Sequence, residues 1–337
     1  METKILSKKE MPAFVNELAS CFQVFAPVRK KEGIVFGAVA SCDEICFDAA
    51  NTRKSVKEHF FPQREQLFAY KEEEIREPSF PDAQRVILGV RPCDARSLAI
   101  LDNIFSGKDC PDPYYLNKRG NTVVIAMGCT APESTCFCTS IGGDPFATDG
   151  ADVLMLDTGD AYVLQPVTEK GEKFLANRKE LKKAGAAHEQ AQKKIMEGAR
   201  SALKPQVQPA EVKKKLDKNF EDPLWATLHE KCLGCGICTF LCPTCHCFDM
   251  LDESTGTAGE RIRIWDSCMF PLFTLHASGS NPRPGAKERV RQRVMHKFKY
   301  FVDNFGTAAC TGCGRCIKCC PVNLDIRQVL NQIQDQK

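Results

Sequence analysis

The sequence predicts a multidomain α+β chain, with an α/β domain first and a helical domain organised around cysteines last. Three observations predict it. Short β-branched runs bounded by Gly, Pro, Asn and Asp alternate with helical periodicity through the first half. Twelve of the 20 cysteines in the 337 residues fall between Cys232 and Cys320. One four-cysteine pattern occurs twice, beginning at Cys232 and again at Cys310. The length suits two or three domains at roughly 100–200 residues each.

The α/β domain is expected over 1–168. Gly33–Val39, Arg85–Val90 and Thr122–Met127 read as strands. After Val90, the stretch RPCDARSLAILD starts a helix, with Asp94 as N-cap and Leu98, Leu101 and Ile104 at helical spacing. Strand, helix and strand make a βαβ unit with parallel strands. The alternating segment Asp152–Val167 closes the domain. Residues 169–219 read as a basic helical linker, since Lys170–Asn219 holds 14 Lys/Arg against 6 Asp/Glu. Residues 220–337 form the cysteine-rich domain, ending in an amphipathic NLDIRQVLNQI helix.

Composition excludes several classes. The formal charge of +3 is too small to make nucleic acid the main partner. No window approaches the ~18 uninterrupted apolar residues of a membrane span. The N-terminal METKILSKKEMPAF has neither the apolar core nor the cleavage site of a secretory signal. A cytoplasmic location is therefore expected, where so many thiols point to metal rather than to disulfides.

The repeated pattern is C-x2-C-x2-C-x3-C-P. Its first copy carries Cys232, Cys235, Cys238 and Cys242, followed by Pro243; its second carries Cys310, Cys313, Cys316 and Cys320, followed by Pro321. This is the bacterial ferredoxin run for a [4Fe–4S] cluster. Three thiolates at this spacing wrap one face of a cube, and glycines between them let backbone amides approach the sulfides. The fourth cysteine of each run serves the other cluster. One cluster is thus expected on Cys232, Cys235, Cys238 and Cys320, the other on Cys310, Cys313, Cys316 and Cys242. Zinc sites favour separated C-x2-C pairs and do not explain the duplication. The stretch from Cys242 to Cys310 is far longer than a ferredoxin hairpin, so an α-helical ferredoxin-like dicluster domain with an insertion is expected.

Nearly the whole chain resembles the β subunits of sulfhydrogenases and cytoplasmic NiFe hydrogenases, and the corresponding electron-transfer subunit of anaerobic sulfite reductase. The resemblance rests on FFPQREQLFAY (60–70), GVRPCDARSLAILD (89–102), GCTAPESTCFCTSIGGDP (128–145) and the two cysteine runs. CPTCHCFD (242–249), WDSCMFPLFTLHASGSNPR (265–283) and RVRQRVMHKFKYF (289–301) complete it. It implies electron transfer between a downstream catalytic redox subunit and another that binds flavin and NAD(P), with FAD and NAD(P) held by that partner.

Weaker constellations remain. Cys93 and Cys129 each follow a predicted strand, and parallel neighbours would deliver both to the carboxyl edge, where α/β sheets place ligands. Cys136 and Cys138 lie in the next loop and can fold back, so a third [4Fe–4S] cluster is expected on these four; buried core thiols are the plain alternative. Cys245, Cys247 and Cys268, with His246, offer three metal ligands and no evident fourth, or else pack beside the clusters. The basic stretch Asn281–Lys299 reads as a solvated face, with a docking surface or a guard beside a cluster as the alternative. Neither a GxGxxG fingerprint nor a P-loop is present. The leading reading is an electron-transfer subunit; the competing one is a reductase with its own active site near Cys245, Cys247 and Cys268.

Overall fold

The computed structural model describes residues 2–78, 80, 83–176, 178–203 and 205–336. Its strands are β1 (Lys4–Ser7), β2 (Gln23–Lys30), β3 (Gly33–Ala38), β4 (Arg64–Lys71), β5 (Glu74–Arg76) and β6 (Arg85–Val90). They continue with β7 (Thr122–Met127), β8 (Val153–Asp157), β9 (Ala161–Pro166), β10 (Lys182–Lys183), β11 (Phe248–Ser254) and β12 (Ala258–Trp265). By internal contacts the chain divides into two units. Unit 1 is Met1–Lys57, Asp82–Pro205 and Thr311–Cys313; unit 2 is Glu58–Pro81, Gln206–Cys310 and Gly314–Lys337.

Unit 1 is built on a mixed eight-stranded sheet of order β10-β1-β9-β8-β7-β6-β2-β3. Strands β2, β6, β7 and β8 run parallel. The central pair, β6 and β7, is buried almost throughout, as parallel strands covered on both faces must be. Leu6, Phe14, Leu18, Val86, Ile125, Met155 and Leu164 belong to one core cluster. The strand adjacency inferred from the βαβ pattern is present, with Arg85 opposite Thr122 and Ile87 opposite Val124.

The end of β6 is shaped by a bulge. The register with β7 shifts between Leu88 and Val90, and Gly89 takes φ +80° against Pro27. Glycine adopts that backbone without steric cost, and the bulge re-aims the residues that follow. The helix Pro92–Phe105 then starts, with Arg91 as N-cap and Pro92 at the first position. Asp94, expected as the cap, lies instead within the first turn and is buried.

Two segments leave the expected boundaries. The helix Glu169–Ala176 buries Phe174 and Leu175 in the unit 1 core, and β10 extends the sheet by pairing with β1. Residues 169–205 therefore complete unit 1, although their last helix, Ala186–Ala202, buries only Ala199. Residues 58–81, expected in the α/β domain, lie in unit 2 because β4 pairs antiparallel with β12, from the far end of the sequence. No local pattern announces so distant a partner.

Unit 2 combines short helices around the cysteine runs with an antiparallel sheet of order β11-β12-β4-β5. The insertion expected between the runs contains the β11–β12 hairpin. The amphipathic helix Ile326–Gln334 buries Ile326, Val329, Leu330 and Ile333 and packs against the helix Pro209–Leu216.

Gly150 offers a stability test within unit 1. It has φ +77°, and a Cβ there would lie 2.0 Å from the Ala95 carbonyl oxygen in the helix Pro92–Phe105. Gly150→Ala is expected to destabilise the fold by about 1–3 kcal/mol. Gly198, inside the helix Ala186–Ala202, has nothing within 4 Å and an ordinary φ. Gly198→Ala should stabilise by about 0.4–1 kcal/mol. Denaturant melts of the two variants check both signs.

Candidate metal centres

The two cysteine runs share one backbone design. Gly234 and Gly236 take φ +67° and +73°, and Gly312 and Gly314 take +65° and +75°. In each run the second of these glycines caps a one-turn helix, Ile237–Phe240 or Arg315–Lys318. A side chain at either position would strain the turn between the cysteines.

In unit 2 a cavity of about 610 Å³, open mouth included, is lined by Cys232, Cys235, Cys238, Cys316 and Cys320. Met269, Val290, Val294, Leu324 and Val329 supply apolar wall. The Leu324 amide donates to Cys320 Sγ at 3.2 Å. Burial raises the Cys238 thiol pKa, opposed by Arg293 and reinforced by Cys232, Cys242 and Cys235. Arg293 also lines the cavity, and its buried Nε has no hydrogen-bond partner among the described residues. An orphaned donor beside five sulfurs fits a group that brings acceptors of its own. Among the described residues no three His, Cys, Asp or Glu side chains stand close enough to hold a single ion. A single zinc needs every thiolate at about 2.3 Å, whereas a cube takes one thiolate per iron and spreads them. Donors of this kind fit a cluster.

The basic stretch is not a solvated face. Arg289 and Lys297 are buried, on the helix Ala286–Met295 and in the π-helical turn His296–Tyr300 that follows it. Lys297 Nζ donates to Cys242 Sγ at 3.2 Å, to Thr244 Oγ1 at 3.2 Å and to the Ala309 carbonyl at 2.8 Å. Burial disfavours its charge, yet the nearby cysteine sulfurs, Cys242 foremost, outweigh that and hold its pKa above the ordinary value. In turn the hydrogen bond from Cys245, with the charge of Lys297, holds Cys242 well below the usual thiol range against its burial. The sequence signal was available: Arg289, Arg293 and Lys297 fall at i, i+4 and i+8, one face of a helix.

The three cysteines of the insertion find different neighbours. Cys245 hydrogen-bonds with Cys242, and Cys247 with Cys268, whose surroundings include Cys238. They do not form a single-ion site among the described residues. His246 Nδ1 lies 3.1 Å from the Thr244 carbonyl oxygen and its ring meets His296 edge-on.

In unit 1, Cys93 stands in the first turn of the helix Pro92–Phe105, and Cys129 follows shortly after the end of β7. Burial raises the pKa of Cys129, of Cys136 to about 11 and of Cys138 to about 12; Cys136 and Cys138 are raised further by nearby cysteine charge. Burial lowers the Arg91 pKa, opposed by the charges of Cys129, Cys93, Asp48 and Asp94. The guanidinium is fixed by the carbonyls of Phe47, Ala49 and Gly128 and makes no ion pair among the described residues. The unit 1 segment Thr311–Cys313 sits against the same loop, with Phe137 donating to the Gly312 carbonyl at 2.9 Å. Cys136 Sγ lies 4.0 Å from the Cys313 carbonyl oxygen. The buried hydroxyls of Thr135, Thr139 and Thr311 have no partner among the described residues. Each such hydroxyl costs about 1–3 kcal/mol unless something accepts from it. Sulfur-rich anionic acceptors fit.

Comparison with known proteins agrees with this donor set. Residues 231–324 match the family described as "4Fe-4S dicluster domain". Over 332 residues the chain is 32% identical to sulfhydrogenase 2 subunit beta of Pyrococcus furiosus, covering 98% of each chain. No solved structure matches. No helix among the described residues is long and apolar enough to cross a membrane. The chain belongs to the sulfhydrogenase β-subunit family, as an iron–sulfur electron-transfer subunit of an oxidoreductase.

Proposed function

We propose that this chain relays electrons, one at a time, between two partners in a multi-subunit cytoplasmic oxidoreductase. One partner binds flavin and NAD(P), and the other is a catalytic redox subunit. Cys232, Cys235, Cys238 and Cys320 hold one [4Fe–4S] cluster, and Cys310, Cys313, Cys316 and Cys242 the other, in an α-helical ferredoxin-like domain. Cys93, Cys129, Cys136 and Cys138 hold a third. The observation that carries the reading is that Cys320, which closes the second run, lines the same cavity as the first three cysteines of the other run.

When bound, such clusters carry single electrons at potentials set by their surroundings. The rest of the work falls to the chain. The glycine turns aim the thiolates, the apolar wall of the first cavity limits water, and Arg91, Arg293 and Lys297 offset negative charge. Cys235 is the exposed cysteine of its run, so that corner is the natural point of exchange with a partner. Anaerobic affinity purification from the native cell is expected to bring down a flavoprotein and a catalytic redox subunit. A purified lone chain that turns over a physiological acceptor with reduced viologen would instead favour an independent reductase.

A further inference from the structure

We infer that Lys297 is the potential-setting residue of the cluster that Cys242 ligates, holding it more oxidising than it would be without the ammonium. The inference rests on the electron-transfer reading above. Lys297 is only 3% exposed and makes no ion pair with a carboxylate among the described residues. Its three ammonium protons are all used, on Cys242 Sγ, Thr244 Oγ1 and the Ala309 carbonyl, and two of those acceptors are neutral. A buried charge needs an opposite one nearby, or it neutralises. The available anion is the Cys242 sulfur.

The consequence for electron transfer follows from charge alone. Reduction adds one negative charge to a cluster and its thiolates, so a fixed cation in hydrogen-bond contact with one sulfur stabilises the reduced form more than the oxidised. Little solvent intervenes to screen it. Arg293 acts differently, since its charge is spread over Cys238, Cys316, Cys245 and Cys242. Lys297 bonds one sulfur, and by the crossed assignment that sulfur belongs to one cluster. The two clusters therefore differ in potential for a reason visible in the chain. Lys297 also sits in a π-helical turn, a distortion often found where a helix must place one functional side chain.

The test is potentiometric EPR on anaerobically purified holoprotein, with iron counted in every sample. In Lys297→Met the cluster ligated by Cys242 should show, at a fixed poise near its wild-type midpoint, about a tenfold lower ratio of reduced to oxidised form. For one electron that is about 59 mV downward. The other cluster should move much less, and Lys297→Arg should restore most of the shift. Full iron with both potentials unchanged in Lys297→Met overturns the inference and leaves the cluster assignment standing. Absence of iron from the wild type overturns the assignment itself. If Lys297→Met does not load, the wild type decides. Protein labelled with 15N-lysine should show nitrogen hyperfine coupling on the reduced signal of the Cys242 cluster, and its absence from that signal overturns the inference.

Discussion

Replacing Cys320 by alanine is expected to abolish or degrade the cluster on Cys232, Cys235 and Cys238, with a loss of up to about four irons per chain. The cluster fed by the run that actually contains Cys320 should survive. The expectation follows from two facts that point the same way. In a two-cluster run the fourth cysteine is carried by its helix away from its own cube. In unit 2, Cys320 shares a cavity wall with all three leading cysteines of the other run, and its sulfur accepts the Leu324 amide at 3.2 Å. Cys316 lines that cavity too, and so is the competing fourth ligand. Cys316→Ala separates them: the crossed arrangement has it damage the second cluster, with the first intact. Cys319→Ala should leave both. Mössbauer and EPR spectra of the three variants give the answer. Loss of the second cluster alone in Cys320→Ala would show that each run closes on itself.

Much of this was legible in the sequence, for reasons that can be named. Ligand spacing is local, so both cysteine runs stand out without any knowledge of the fold. The β6–β7 pair was legible because apolar strand, helix and apolar strand leave few topologies open. What failed was long-range. Strand β4 reads as part of the first domain until its partner β12 is known. The linker helix Glu169–Ala176 reads as solvated because its charges outnumber Phe174 and Leu175, the two side chains that reach the core. Lys297 was missed for a subtler reason. A stretch as basic as Asn281–Lys299 is ordinarily a wet face, and only the i, i+4, i+8 spacing of Arg289, Arg293 and Lys297 hints that one stripe turns inward. Buried cations are rare enough that burial must be accounted for, and here thiolates account for it.

A third cluster in unit 1 is expected to raise the iron content of the intact chain to about twelve, and Cys129→Ser should lower it to about eight while leaving both ferredoxin-type signals. Parallel neighbours β6 and β7 deliver Cys93 and Cys129 to one carboxyl edge of the sheet. Cys136 and Cys138 join them from the following loop, where their thiols feel the charge of Cys129. The arrangement carries a cost of its own. Burial disfavours the thiolate form of three of these cysteines. Three buried threonine hydroxyls find no acceptor among the described residues. A [4Fe–4S] group held by Cys93, Cys129, Cys136 and Cys138 would keep their sulfurs as thiolates and supply acceptors for the hydroxyls, and its negative charge would suit Arg91 and the amide-rich start of the helix Pro92–Phe105. A set of core thiols has no use for unpartnered hydroxyls. Thr139→Val is a second probe, since it keeps the ligands and removes one donor. It should lower the potential of the unit 1 cluster without lowering the iron count. Eight irons in the wild type, unchanged in Cys129→Ser, would return these four cysteines to the core.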